Sequence, residues 1–371
     1  MAGAVLKYGL IFLGGSILIP PIIGRLRKTR VLRNNLGVEV HVSKLGAALT
    51  KIVTPDRGGK KADVVLYPAN PNDNANYMGV VVGRCANRIS NARFAMPDGR
   101  EVQLTANDGP HALHGGVHGF QTKVFTADAT SGPGYKAIVL RYTSHAGEEG
   151  YPGELDVCVT YRLACDKNEL MCEITAVPSG DATPVNIVQH TYWNMAGHNS
   201  GKDILDHQVH MPNSDHYTPV GVDLIPTGEI LPVQGTPFDF TRPHTIGERI
   251  QQCGPAGYDL NYVNQKMGPQ ARFICKGGMA CDRPKLVATV HHKESGRCMD
   301  VFTTAPGMQF YIAGQMEHVD GKGRAVYKKH AGFCLETQAF PNSVNERSFP
   351  DIFIKPGEIY RHQTVYKFYT Q

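Results

Sequence analysis

The chain has 371 residues, 42% of them hydrophobic and 19% charged, with 40 glycines and 24 prolines; this is a globular composition rich in turns, long enough for one large β domain or two ordinary ones. Its net charge of +5 sits ahead of the body, because Lys7, Arg25, Arg27, Lys28, Arg30 and Arg33 all precede the first acid, Glu39. The near-neutral remainder lacks the basic stripe that nucleic acid requires, and nine cysteines without a C-x-x-C pair argue against a disulfide framework or a zinc site and for buried thiols in a reducing compartment.

Residues 8–24, YGLIFLGGSILIPPIIG, carry no charge and run directly into the basic stretch RLRKTRVLR. A secretory signal would have the opposite charge order, with the positive flank first, whereas an organellar presequence would fit the arginine richness. A membrane anchor fits at the short limit, with Pro20 and Pro21 breaking the helix near its end. The anchor is the favoured reading, so residues 1–34 are expected to form a hydrophobic helix and basic flank. That flank places the body on the cytoplasmic, matrix or stromal side, with the mitochondrial inner membrane as one such setting and an untethered cytoplasmic protein as the alternative. An anchor also raises the expectation of a partner, a larger membrane complex.

From residue 35 onward strand follows strand. Residues 38–53 alternate apolar and polar, 136–144 read KAIVLRYTS, and 155–177 give two β-rich runs split by the turn-like Asp166-Lys167-Asn168. Lys285–His292 (KLVATVHH), 298–304 (CMDVFTT) and 359–369 continue the pattern, while 245–253 (TIGERIQQC) is helix-compatible but too short to alternate with strands in a parallel sheet. Residues 266–283 break the pattern and read as a loop. Strand density over residues 35–371 without a linker predicts one large, mainly antiparallel β-sandwich. No nucleotide-binding glycine motif and no H-E-x-x-H occurs.

Four polar clusters place ionisable side chains among small and aromatic neighbours: His114 in LHGG, His190 in QHTYWN, Asp259 in GYD and Glu336 in FCLETQ. Aromatic faces suit sugar rings, and paired glycines let a ligand or another backbone come close. Two histidines and two carboxylates equip a metal-free acid/base reaction on a hydroxylated substrate. Anomer exchange is one: a base takes the anomeric hydroxyl proton while an acid protonates the ring oxygen, and the ring opens, turns and recloses. A carboxylate suits the first task and an imidazolium the second. Taken singly, each residue has a plainer reading: His114 and His190 as buried hydrogen-bonding groups, Asp259 as a turn residue, Arg88 as an ion-pair partner. Glu336, flanked by Phe333, Leu335 and Phe340, is costly to bury without a purpose. His291 and His292 are adjacent on a strand, face opposite sides and so do not share one metal ion.

Together the stretches GVVVGRCANRI, LHGGVHGF, QHTYWNMAGH, YTPVGVDLIPTGEILPVQGTPFDF, GYDLNYV, TTAPGMQFY and FCLETQAFPNSVN resemble the aldose 1-epimerase, or galactose mutarotase, family over nearly the whole length from Val38. The resemblance implies a large β-sandwich with the site in an open cleft on a concave face, acting on an aldohexose sugar without cofactor or metal. It implies Glu336 as base and His190 as acid, His114 and Arg88 holding the sugar, Asp259 accepting hydrogen bonds from its hydroxyls, and Gln309 and Phe310 as pocket residues. Acid and base are then expected to face each other across one pyranose ring. Gln189, Leu260, the run after Tyr311 and the 266–283 segment depart from the family pattern. Those departures and the anchor support an alternative, a weakly active or non-enzymatic accessory subunit of a membrane complex, and a sugar-binding module without turnover is a third reading.

Overall fold

The structure, a computed structural model, describes residues 29–255, 257–265, 275–276 and 283–371. The expected anchor over residues 8–24 lies outside them. The strand set begins at Arg30–Arg33, inside the stretch that sequence assigned to the basic flank, because this segment pairs antiparallel with Glu39–Val42 and so enters a four-stranded sheet completed by Leu49–Pro55 and Lys61–Asp63.

The main layer is a ten-stranded sheet. Its path runs through Thr126–Gly132, Tyr135–Ser144, Glu154–Ala164, Glu169–Ser179, Glu358–Thr370, Arg297–Thr303, Lys285–His292, Gln208–His210 and His244–Thr245, with Cys275–Lys276 pairing off the path at the start of Glu358–Thr370. The sequence dictates these strands through period-two alternation: in Glu154–Ala164, Leu155, Val157, Val159, Tyr161 and Leu163 are buried, while their neighbours are less so. In Glu358–Thr370, Tyr360, His362, Thr364, Tyr366 and Phe368 play the same part. Residues 165–168 make the hairpin expected at Asp166-Lys167-Asn168, tied to the first sheet by Asn34 and Asn35 side chains.

Against this layer lies a six-stranded sheet in the order Tyr192–Trp193, Phe333–Gln338, Gly307–Tyr311, Asp259–Val263, His216–Thr218, Leu231–Pro232. Trp193 packs on Tyr366 and Phe368 of the larger sheet, and Phe333 on His207, so the core lies between the two faces. Among the described residues the helical segments are three-residue 3-10 turns; the helix-compatible stretch 245–253 is two of them, Ile246–Glu248 and Ile250–Gln252. It is too short to nucleate an α-helix against the cost of its first turn.

One polar knot interrupts the apolar core. The His362 imidazole sends Nδ1 toward the Ile187 carbonyl at 3.2 Å, while Nε2 lies 3.0 Å from the Thr337 hydroxyl and 3.2–3.3 Å from those of Thr364 and Thr303. Burial lowers its pKa from 6.5 to about 4, with the Ile187 carbonyl opposing. Folding therefore holds it neutral while the unfolded chain protonates it below 6.5. Its contribution is complete above pH 6.5 and is lost as pH falls toward 4, a change on the order of 3 kcal/mol. Urea unfolding between pH 7.5 and 4 is expected to show a shallower loss of stability in His362→Gln than in the wild type; parallel curves contradict the assignment.

Candidate active site

The cleft rests on three neighbouring strands of the smaller sheet. Antiparallel register sets Asn261, Gln309 and Glu336 in one row, with Asp259, Tyr311 and Cys334 in the next. Alternation then puts Asp259, Asn261, Gln309, Glu336 and Gln338 on one face, and Leu260, Phe310, Leu335 and Thr337 on the face toward the larger sheet. Every residue of Phe333–Gln338 is buried, so the carboxyl of Glu336 is shielded from bulk water by whatever covers the outer face.

Loops from residues 79–88 and 113–120 supply that cover. His114 adopts φ +51°, and at Gly115, with φ +90°, a Cβ would lie 1.8 Å from the Gly83 carbonyl oxygen, so only glycine lets the two loops meet. The Asn87 backbone N–H donates to His114 Nδ1 at 3.2 Å, which leaves the proton of the neutral ring on Nε2. Arg88 reaches Asp108 with an Nε–Oδ2 distance of 2.7 Å, as its ion-pair reading expects, and also lines the cleft.

His190 follows the short strand Val188–Gln189 and is pinned at both ends of its peptide: its N–H donates to Val80 O and its carbonyl accepts from Gly79 N–H, each at 2.8 Å. Its ring stacks on Tyr192 at 5.2 Å and meets His114 edge-on at 5.2 Å, with Tyr77 closing the cluster. Thus held, His190 Nε2 lies 3.5 Å from Glu336 Oε2. Cys334 Sγ is 3.7 Å from Nδ1 on the other side of the ring.

Electrostatics follow from dryness. Burial pushes the Glu336 carboxyl well above its usual range; the Asp259 carboxylate pushes the same way and Arg88 opposes. Burial lowers His190 to about 4 and lowers His114 well below its ordinary value, the latter aided by His190 and Arg88. Asp259 is raised by burial, against the Gln309 N–H and Arg88. Burial thus favours the uncharged form of both the imidazole and the carboxyl. Beside them a narrow cleft is lined by Asn87, Arg88, Leu224, Asp259, Asn261 and Gln309 among others, while Glu336, His190 and His114 are not among its lining residues. A larger surface hollow around His198 and Tyr327 shares no residue with it.

The structure brings together Glu336, His190, His114, Arg88, Asp259 and Gln309. It does not bring Phe310, which strand alternation turns into the core, stacked on Tyr258 and set edge-on to Phe240, both at 5.5 Å. Acid and base candidates also stand side by side instead of facing each other across a ring-sized gap. Two departures from the family pattern point away from the chemistry: Leu260 is on the core face, and Gln189 donates to the Gly79 carbonyl at 2.7 Å, bracing the loop behind His190. The 266–283 segment lies mostly outside the described residues; its described pair Cys275–Lys276 joins the larger sheet. Sequence reading missed Asn87, Tyr77, Asn261 and Gln338. The last two stand two residues beyond Asp259 and Glu336, a spacing that on a strand implies a shared face.

Among the described residues two clusters gather ligand-type atoms within 4.8 Å: His114, His190 and Glu336, and Asp206, His207 and His292. Neither fits a metal. His114 Nδ1 already accepts the Asn87 N–H, and His207 Nε2 accepts the Met195 N–H at 2.9 Å while Nδ1 donates to Asp206 at 2.9 Å. Both rings therefore turn an N–H, not a lone pair, toward their cluster. His292 meets His207 and Asp206 from separate segments, which the adjacency of His291 and His292 did not signal.

The sequence profile of the family described as aldose 1-epimerase matches residues 28–367. The galactose mutarotase of Sus scrofa is 41% identical over 354 residues, covering 94% of this chain and 96% of its own. The Homo sapiens galactose mutarotase is 41% identical over 335 residues, covering 89% and 91%, and the Escherichia coli aldose 1-epimerase 31% identical over 354, covering 93% and 96%. A crystal structure of an aldose epimerase homologue from C. elegans superposes with TM-score 0.81 at 26% identity, over 93% of this chain and 99% of that one.

Placement of Phe310 in the core is open to a direct check. Phe310→Ala is expected to lower the free energy of unfolding by about 3–5 kcal/mol in urea denaturation. A loss below about 1 kcal/mol, typical of surface sites, contradicts it.

Proposed function

The chain belongs to the aldose 1-epimerase family, and from that premise we propose that it interconverts the α and β anomers of an unphosphorylated aldohexose of the glucose or galactose kind, with Glu336 as catalytic base and His190 as catalytic acid. The 3.5 Å between His190 Nε2 and Glu336 Oε2 carries this reading. The two oxygens that exchange protons during ring opening, the anomeric hydroxyl and the ring oxygen, are bonded to the same carbon. A base and an acid set close together can therefore serve both.

Proton accounting fits the same geometry. A carboxylate beside an imidazolium holds as many protons as a carboxylic acid beside a neutral imidazole. In the first form Glu336 removes the anomeric proton as His190 protonates the ring oxygen, and the carbon–oxygen bond of the ring breaks to give the aldehyde. That step leaves the pair in the second form, the one that burial favours. Rotation of the open chain about its first carbon–carbon bond presents the other face, and the reverse transfers close the ring. Arg88 opposes the upward push on Glu336 and so favours the charged base. His114, with its proton on Nε2, donates to a sugar oxygen, and Asp259 accepts from hydroxyls.

A neutral substrate is supported by the lining of the cleft, where among the described residues Arg88 is the one cation and Asp259 answers it. An acid and base held this closely favour turnover over the accessory-subunit and binding-module readings, neither of which needs them. Membrane attachment through residues 8–24 rests on that uncharged run and its basic flank alone; among the described residues no helix is long and apolar enough to cross a membrane. Polarimetry on freshly dissolved α-galactose or α-glucose is expected to show acceleration by the wild type, with kcat reduced at least about 10²-fold in Glu336→Gln and in His190→Gln. Equal rates for wild type and Glu336→Gln would remove the assignment.

A further inference from the structure

Behind the cleft wall runs a chain of buried side-chain amides that the reaction itself does not use. Gln338 Nε2 donates to Asn261 Oδ1 at 3.1 Å and to Gln309 Oε1 at 3.3 Å. Asn261 Nδ2 in turn donates to the Thr218 hydroxyl at 3.3 Å, and Gln309 Nε2 donates to Asp259 Oδ1 at 2.6 Å. Gln338 and Thr218 are fully buried and Asn261 nearly so. Gly307 makes the arrangement feasible, because a Cβ there would lie 2.5 Å from Asn261 Oδ1. Gln309, Asn261, Thr218 and Asp259 line the cleft; Gln338 is not among its lining residues.

An amide turned end for end exchanges a donor for an acceptor, so each member of such a chain depends on its neighbour's orientation. Gln309 must show Asp259 an N–H, because a carbonyl at that distance would repel the carboxylate. Gln338 cannot turn round without aiming its own oxygen at two carbonyl oxygens. The arrangement has a cost: Gln338 Oε1 is buried without a hydrogen-bond partner among the described residues.

We infer that Gln338 is a positioning residue which, through Gln309, fixes the N–H that faces the Asp259 carboxylate and so keeps Asp259 ready to accept sugar hydroxyls. The inference rests on the proposed function for its consequence in turnover, not for the geometry. Arg88 also favours the charged form of Asp259, whereas burial opposes it; Glu336, Tyr192, Tyr311 and Cys334, which share its electrostatic surroundings, are held neutral by burial. Loss of one donated N–H therefore shows directly in the protonation of Asp259.

The test is a carboxyl ¹³C NMR titration of Asp259 in the sugar-free wild type, Gln338→Met, Gln309→Met and the double variant, with kinetics on each. Each single variant is expected to raise the Asp259 midpoint by about one pH unit and KM for the sugar about tenfold. In Gln338→Met kcat stays within about twofold, since this residue touches no reacting atom. The double variant should exceed neither single one, because both act through one hydrogen bond. An unmoved midpoint in Gln338→Met, or effects of the two substitutions that add, overturns the inference. Should a variant fail to fold, hydrogen exchange on the wild type decides: both Gln338 side-chain amide protons are expected to be protected, and free exchange of either one overturns it. If the wild type proves unable to interconvert anomers while the Asp259 midpoint still moves, the proposed function fails and the positioning role stands.

Discussion

A carboxyl group held out of water 3.5 Å from an imidazole is the constraint on which the rest of this protein depends. Neither group would be stable there as an isolated charge, because desolvation penalises each ionised form on its own. Together they can exchange a proton without changing their net charge, so the site tolerates both states with little movement of solvent. The sandwich supplies what that requires: a strand buried along its whole length to carry Glu336, and a peptide clamped at both ends to carry His190. The close loop approach at Gly115 then seats His114 against the pair.

The pleat of Phe333–Gln338 divides the labour. One face of the strand carries Glu336 beside His190 and Gln338 among the amides of Asn261 and Gln309, and the other sends Phe333 and Leu335 into the core and Thr337 to the His362 knot. Stability and chemistry are therefore built from alternate residues of one segment, and a slip of one position would exchange them. The same logic separates Gln309 from Phe310, and Asp259 from Leu260.

Much of this was legible beforehand, and the limits of legibility have physical causes. Strands such as Lys285–His292 declare themselves because half-buried segments must alternate. Glu336 and His190 stand out in the sequence through motifs whose combination is specific, and the cost of burying a carboxyl singles out Glu336 as well. Phe310 was misplaced because a motif gives proximity along the chain, whereas the pleat decides which of two neighbours meets the cleft. The side-by-side arrangement of acid and base was missed because it arises from antiparallel register and loop closure, contacts between residues 190 and 336 that no local pattern encodes. Asn261 and Gln338 could have been found by applying the period of two outward from Asp259 and Glu336.

A crystal structure of Glu336→Gln grown with galactose decides whether one acid and one base serve the two oxygens on the anomeric carbon. One pyranose ring is expected, its ring oxygen about 3 Å from His190 Nε2 and its anomeric oxygen about 3 Å from the side chain at position 336. A sugar bound with its anomeric carbon away from both groups, or seated only outside this cleft, would contradict it.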